Sequence, residues 1–94
     1  MMDKFYAISK NAMLNEVETQ GVVFCQNEAG EKIYYLNDTS LSVVLFLQSG
    51  KRRFTEIVSE ILRLFEVSQE ECESDMESLL KDLETYKIIE VVSE

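Results

Sequence analysis

Two short runs of β-branched and aromatic residues, Gly21-Val-Val-Phe-Cys-Gln26 and Glu31-Lys-Ile-Tyr-Tyr-Leu36, flank Asn27-Glu-Ala-Gly30. The intervening residues carry turn chemistry, and Gly30 is free to take a positive φ. This spacing predicts a β-hairpin. An earlier strand is expected at Ala12 to Val17 or at Phe5 to Ser9, with its register open. The period then changes. Asn37-Asp-Thr-Ser40 is rich in helix N-caps, and Leu41, Val44, Leu45 and Leu47 follow, with Gly50 placed to stop the helix. Thr55 is the candidate cap of a second helix, whose Ile57, Val58, Ile61, Leu62 and Phe65 recur at three and four residues. Ser68-Gln-Glu-Glu71 matches a capping box, in which Ser68 accepts from a first-turn amide and Glu71 reaches back. Cys72, Met76, Leu79, Leu80, Leu83 and Tyr86 then share one face of a helix over 68–86. Lys87 to Val92 is β-prone, as a last short strand or an extended tail. The expected fold is α+β and winged-helix-like: a small antiparallel N-terminal sheet of two to three strands, then three helices. Residues 1–94 read as a single domain.

Composition narrows the chemistry. The chain has 94 residues, 46% of them hydrophobic and 29% charged, with a formal net charge of -9. The charges of residues 1–53 cancel, so the whole deficit lies from Phe54 onward. That disfavours nucleic acid and anionic membranes as partners. There is no histidine, which removes imidazole acid–base catalysis, Ser–His and Cys–His nucleophiles and histidine-ligated metals. No glycine-rich phosphate loop is present. Cys25 and Cys72 are far apart in sequence, form no CxxC and read as small buried hydrophobes. The run Glu70, Glu71, Glu73, Asp75, Glu77 lacks the alternating oxygen ligands and glycine of a calcium loop, and reads as a solvated helix face. Lys51-Arg52-Arg53 reads as a solvated basic loop. Neither a signal peptide nor a bilayer-length apolar stretch is visible, so the expected compartment is the cytoplasm, with reduced thiols. These features argue against an enzyme and call for no cofactor.

Tyr35-Leu-Asn-Asp-Thr-Ser40, Ser49-Gly50-Lys-Arg-Arg-Phe-Thr-Glu-Ile-Val58 and Asp75-Met-Glu-Ser-Leu-Leu-Lys-Asp-Leu83, followed by Tyr86 to Glu90, occur in order. This set resembles the PQQ-synthesis protein D family over about residues 34–91. Ser49 stands where that family has Asp, and Lys87 where Gly is common. The Pro-containing strand motif of PQQ-pathway members is missing. The likeness is therefore to a stand-alone element that recognises ribosomally made precursor peptides, of the lasso-peptide type rather than the PQQ pathway. The resemblance implies a non-catalytic module that binds the leader segment of such a precursor. The leader adds as a β-strand in the cleft between strand 31–36 and helix 68–86. The module then presents it to a modifying enzyme or leader peptidase.

On this reading Ile33, Tyr34, Tyr35 and Leu36 form the receiving edge, with Ile33 and Tyr35 on one face and Tyr34 and Leu36 on the other. Cys72, Asp75, Met76, Leu79 and Leu83 supply the cleft wall, and Asp75 and Asp82 an acidic rim. The plainer reading makes the Met76, Leu79, Leu80, Leu83 stripe core and the two tyrosines ordinary strand packing. Two other functions compete. A winged-helix DNA-binding regulator needs a basic recognition helix, and Glu66 to Glu94 holds ten carboxylates against Lys81 and Lys87. An acidic protein–protein adaptor or inhibitor is compatible with the charge. A free sheet edge also permits either a monomer or a strand-exchanged dimer.

Overall fold

The computed structural model describes residues 4–10, 12–17, 20–27 and 30–93. In chain order the elements are β1 (Lys4–Ile8), β2 (Ala12–Val17), β3 (Gln20–Asn27), β4 (Gly30–Leu36), α1 (Asp38–Gln48), β5 (Arg52–Arg53), α2 (Phe54–Leu64), α3 (Gln69–Thr85) and β6 (Ile89–Ser93). The predicted hairpin is present: β3 and β4 are antiparallel, from Gly21 opposite Leu36 to Asn27 opposite Gly30. Gly30 takes φ +120°. Glu28 and Ala29 of the predicted turn lie outside the described residues.

Both candidate first strands exist, in different sheets. β2 pairs with β3, giving an antiparallel sheet in the order β2-β3-β4. β1 lies between β5 and β6 in a second antiparallel sheet. The β-prone ending is thus a strand, and the three-stranded sheet ahead of the helices is joined by a small sheet that both ends of the domain build.

The first sheet alternates faces strictly. Ala12, Leu14, Val23, Cys25, Tyr34 and Leu36 pack toward the helices. There they meet Val43, Val44 and Leu47 of α1, Ile57, Val58 and Ile61 of α2, and Cys72, Met76, Leu80 and Leu83 of α3. Gly21 is required by a close approach: a Cβ there would lie 2.5 Å from Cδ1 of Leu41.

Local chemistry sets the helix ends. Asn37 caps α1 by accepting the Ser40 amide at 2.8 Å. Gly50, with φ +142°, follows the last turn and donates to the Leu47 carbonyl. Ser68 accepts the Glu71 amide at 3.2 Å at the start of α3. Two expectations are corrected. Thr55 does not cap α2; the N-cap is Arg53, two residues earlier, and Glu56 accepts its backbone amide at 3.0 Å. Leu45 is exposed, and Val43 takes its expected place in the core. The basic loop stays at the surface, but its cations lie on rings: Lys51 and Arg53 over Phe5, and Arg52 over Phe46.

Candidate peptide-binding edge and helix

β4 pairs with β3 on one side, and among the described residues no strand pairs with its other side. That side presents a row of main-chain donors and acceptors without ladder partners. Along β4 the hairpin's alternation puts Ile33 and Tyr35 on the outer face, 50% and 70% exposed. Tyr34 and Leu36 are on the inner face, half-buried and buried. Two adjacent tyrosines therefore face opposite ways.

Tyr34 locates the helix beside this edge. Its ring stacks on Tyr86 at the end of α3, with centroids 4.8 Å apart and planes 23° apart. Counting back from Tyr86 by helical steps of four and three gives Asp82, Leu79 and Asp75, so these residues share one stripe of α3 with Tyr86, the residue whose ring meets β4. Asp75 and Asp82 are exposed and Leu79 is half-buried. The opposite flank of the helix faces β1. Burial first, and then the charges of Glu84 and Glu77, raise the Tyr6 hydroxyl above its ordinary pKa. The two flanks of α3 thus face different sheets.

The ten residues read from sequence fall into two groups. Ile33, Tyr34, Tyr35, Asp75, Leu79 and Asp82 offer surface at the edge or on the facing stripe. Leu36, Cys72, Met76 and Leu83 are buried in the core, as the plainer reading of a helical apolar stripe has it. They belong to the buried cluster shared by the first sheet and the three helices. Cys72 also donates weakly to the Val58 carbonyl at 3.8 Å. Burial raises both thiols above their ordinary pKa, and the nearby Asp75 and Glu73 add to the shift at Cys72. Neither is an activated nucleophile. Tyr86 is the residue that the sequence reading did not place in the site. Its spacing of four from Asp82 and seven from Leu79 was the available signal.

A second concavity, of about 370 Å³, is lined by Phe46 of α1 and by Thr55, Glu56, Ser59, Glu60 and Arg63 of α2. Its charges are paired: Arg63 donates to both carboxylate oxygens of Glu60, at 2.9 and 3.0 Å, and Glu56 pairs with Arg52 at 3.7 Å. Among the described residues no group of three or more acidic or cysteine side chains is placed to hold a metal ion. No described helix is long and apolar enough to cross a membrane.

Two solved structures share this fold. One is described as TbiB1 in complex with the TbiA(beta) leader peptide. It superposes with a TM-score of 0.78 at 21% identity, over 89% of this chain and 94% of that one. The other is lasso peptide synthetase B1 complexed with the leader peptide. Its TM-score is 0.74 at 18% identity, over 90% of this chain and 96% of that one. No curated protein matches the chain. Residues 12–89 match the model of the family described as coenzyme PQQ synthesis protein D. That span takes in the hairpin, all three helices and the whole β4–α3 site, and the chain belongs to the coenzyme PQQ synthesis protein D family.

Proposed function

We propose that the chain is a non-catalytic recognition module that binds the leader segment of a ribosomally made precursor peptide. The leader pairs as an added strand with the free side of β4, and the Asp75–Leu79–Asp82–Tyr86 stripe of α3 covers its other flank. The observation that carries this reading is the unpaired edge of β4 standing beside that stripe, tied to it by the Tyr34–Tyr86 stack. Strand addition draws affinity from the main chain and specificity from alternate side chains. Leu79 supplies an apolar contact, and Asp75 and Asp82 favour a basic residue on either side of it. The two structurally similar proteins, both described with leader peptides, support the choice of ligand. The lasso-peptide type of pathway and a cytoplasmic setting, where precursor and module meet, belong to the same reading. So does a single domain over 1–94.

The acidic surface of α3 also bears on the competing functions. A recognition helix carrying Glu70, Glu71, Glu73, Asp75 and Glu77 is repelled by a phosphate-lined groove. The test is a titration of labelled leader peptides, encoded beside this gene, followed by fluorescence anisotropy. The expected result is saturable binding at micromolar Kd or tighter (about -8 kcal/mol), lost for a scrambled leader. Asp75→Asn with Asp82→Asn weakens binding of a leader with a basic residue by about threefold to tenfold, in line with surface ion pairs. Absence of binding to every neighbouring leader refutes the reading and favours an acidic adaptor for a basic protein.

A further inference from the structure

Lys32 is the one charged residue on the inner face of β4, which by alternation also carries Gly30, Tyr34 and Leu36. It lies opposite Cys25 of β3, as Tyr34 lies opposite Val23. Cys25 and Val23 are buried in the core, whereas Tyr34 is half-buried and Lys32 exposed. The helical cover therefore thins from β3 to β4 and leaves space over the inner side of the open edge. No described residue forms an ion pair or hydrogen bond with the Lys32 ammonium, Asp75 and Asp82 included.

The hairpin fixes which main-chain groups reach that edge. Asn27 pairs with Gly30 across a loop of two residues. A pair beside so short a loop exchanges both hydrogen bonds, because the next pair inward would be two residues adjacent in sequence. Hydrogen-bonded pairs then alternate along the ladder, at Cys25–Lys32 and Val23–Tyr34. Lys32 and Tyr34 thus turn their main-chain groups toward β3, while Glu31, Ile33 and Tyr35 turn theirs to the open side. An antiparallel strand added there continues the sense of the sheet and makes its hydrogen-bonded pairs with Glu31, Ile33 and Tyr35. Its closer, non-hydrogen-bonded pairs are with Lys32 and Tyr34, and in those pairs the side chains point inward.

We infer that Lys32 is a specificity-determining residue, which selects a carboxylate on the leader residue directly opposite it in the added strand. The inference rests on the leader-binding reading and deepens it. Cα atoms in such a pair are about 4.5 Å apart. An ammonium and a carboxylate there meet side by side on the inner face, and a leader cation at the same place is repelled. Antiparallel pairing puts the acidic residue two positions after the leader residue beside Tyr34. Its own amide points away from β4, while the amides of its two neighbours bond to Ile33 and Glu31. A basic residue favoured by Asp75 or Asp82 stands at another leader position.

The test is a charge-swap titration, followed by anisotropy, with the leader peptides encoded beside this gene. The parent, Lys32→Gln and Lys32→Glu are each titrated with the leader and with variants in which each acidic residue in turn becomes Lys. Lys32→Glu is expected to weaken binding of the unaltered leader by about threefold to tenfold, and Lys32→Gln by less. One leader substitution weakens binding to the parent and restores it with Lys32→Glu. N-methylation of that same leader residue leaves affinity within about twofold of the parent value, and N-methylation of either neighbour lowers it at least about tenfold. Losses that simply add at every leader position, with parent binding intact, remove Lys32 from the specificity of the site while leaving leader recognition standing. Sensitivity to N-methylation at the restoring residue, and not at its neighbours, is the mark of a parallel added strand and also overturns the inference. Failure of the parent to bind any leader overturns the underlying reading.

Discussion

Lys87 shows what a single residue contributes. It has φ +63°, in the left-handed region that side chains with a Cβ disfavour. The geometry around it is a complete Schellman ending: the Ile88 amide donates to the Leu83 carbonyl and the Lys87 amide to that of Glu84, at 2.9 and 3.0 Å. Leu83 and Ile88, the apolar pair of that motif, are both buried. The sequence already marked position 87 as one where relatives commonly have Gly, and the backbone supplies the reason. Lys87→Gly relieves the strain, although Gly also loses more backbone entropy on folding. The expected net gain is about 0.5–1 kcal/mol, read as a raised urea midpoint with an unchanged slope. A lowered midpoint would show that the Lys87 side chain contributes more than its backbone costs. Other single residues were legible only in part. The caps Asn37 and Ser68 were plain from their spacing, because hydroxyls and amides at a helix start have one local task. Thr55 misled, because the cap position is Arg53, two residues earlier, where the Glu56 carboxylate accepts the backbone amide.

At the scale of elements, the hairpin and the three helices were readable because each is set by local periodicity. The small second sheet was not. β1 pairs with residues more than forty positions away in β5 and more than eighty away in β6, and no local pattern encodes such a partner. The site divides along the same line. Its residue types were visible, but which side of each element they occupy depends on how β4 and α3 meet. The Tyr34–Tyr86 stack is that meeting point, and aromatic pairs of this kind contribute about 0.5–1.5 kcal/mol beyond area burial. A double-mutant cycle of Tyr34→Ala and Tyr86→Ala, measured by chemical denaturation, should therefore show a coupling of about 1 kcal/mol. Additive losses would mean that the two rings contribute independently.

Across the whole molecule, charge and burial make stability depend on alkaline pH. Cys25, Cys72 and Tyr6 all hold their protons more tightly when folded, burial being the main cause in each. Unfolded thiols ionise around 9.0 and unfolded tyrosine around 10.0. Above those values the unfolded chain binds fewer protons than the folded one. Stability is then fully present below about pH 9 and falls as the pH rises toward the higher folded values. The urea midpoint should be lower at pH 10 than at pH 8, and a midpoint independent of pH in that interval would contradict the assignment. The excess of negative charge was evident from composition. Its placement was not: only the folded helix shows that one acidic flank faces β4 and the other β1.

The pairing of β1 with β6 has a consequence for how the protein is made. Within this domain the earliest described strand is also the one whose longest partner is the last described strand. Until Ile89 to Ser93 emerge, Phe5, Tyr6 and Ile8 lack that partner strand. Folding of the nascent chain can begin with the hairpin, whose contacts are local, but the second sheet closes only after β6 has emerged. A transcript truncated before codon 89 would thus yield a chain that keeps the strands and helices of the proposed leader site yet leaves one edge of β1 open to pairing with other chains. Cellular quality control would meet such a product as an aggregation hazard rather than as a shortened but usable module.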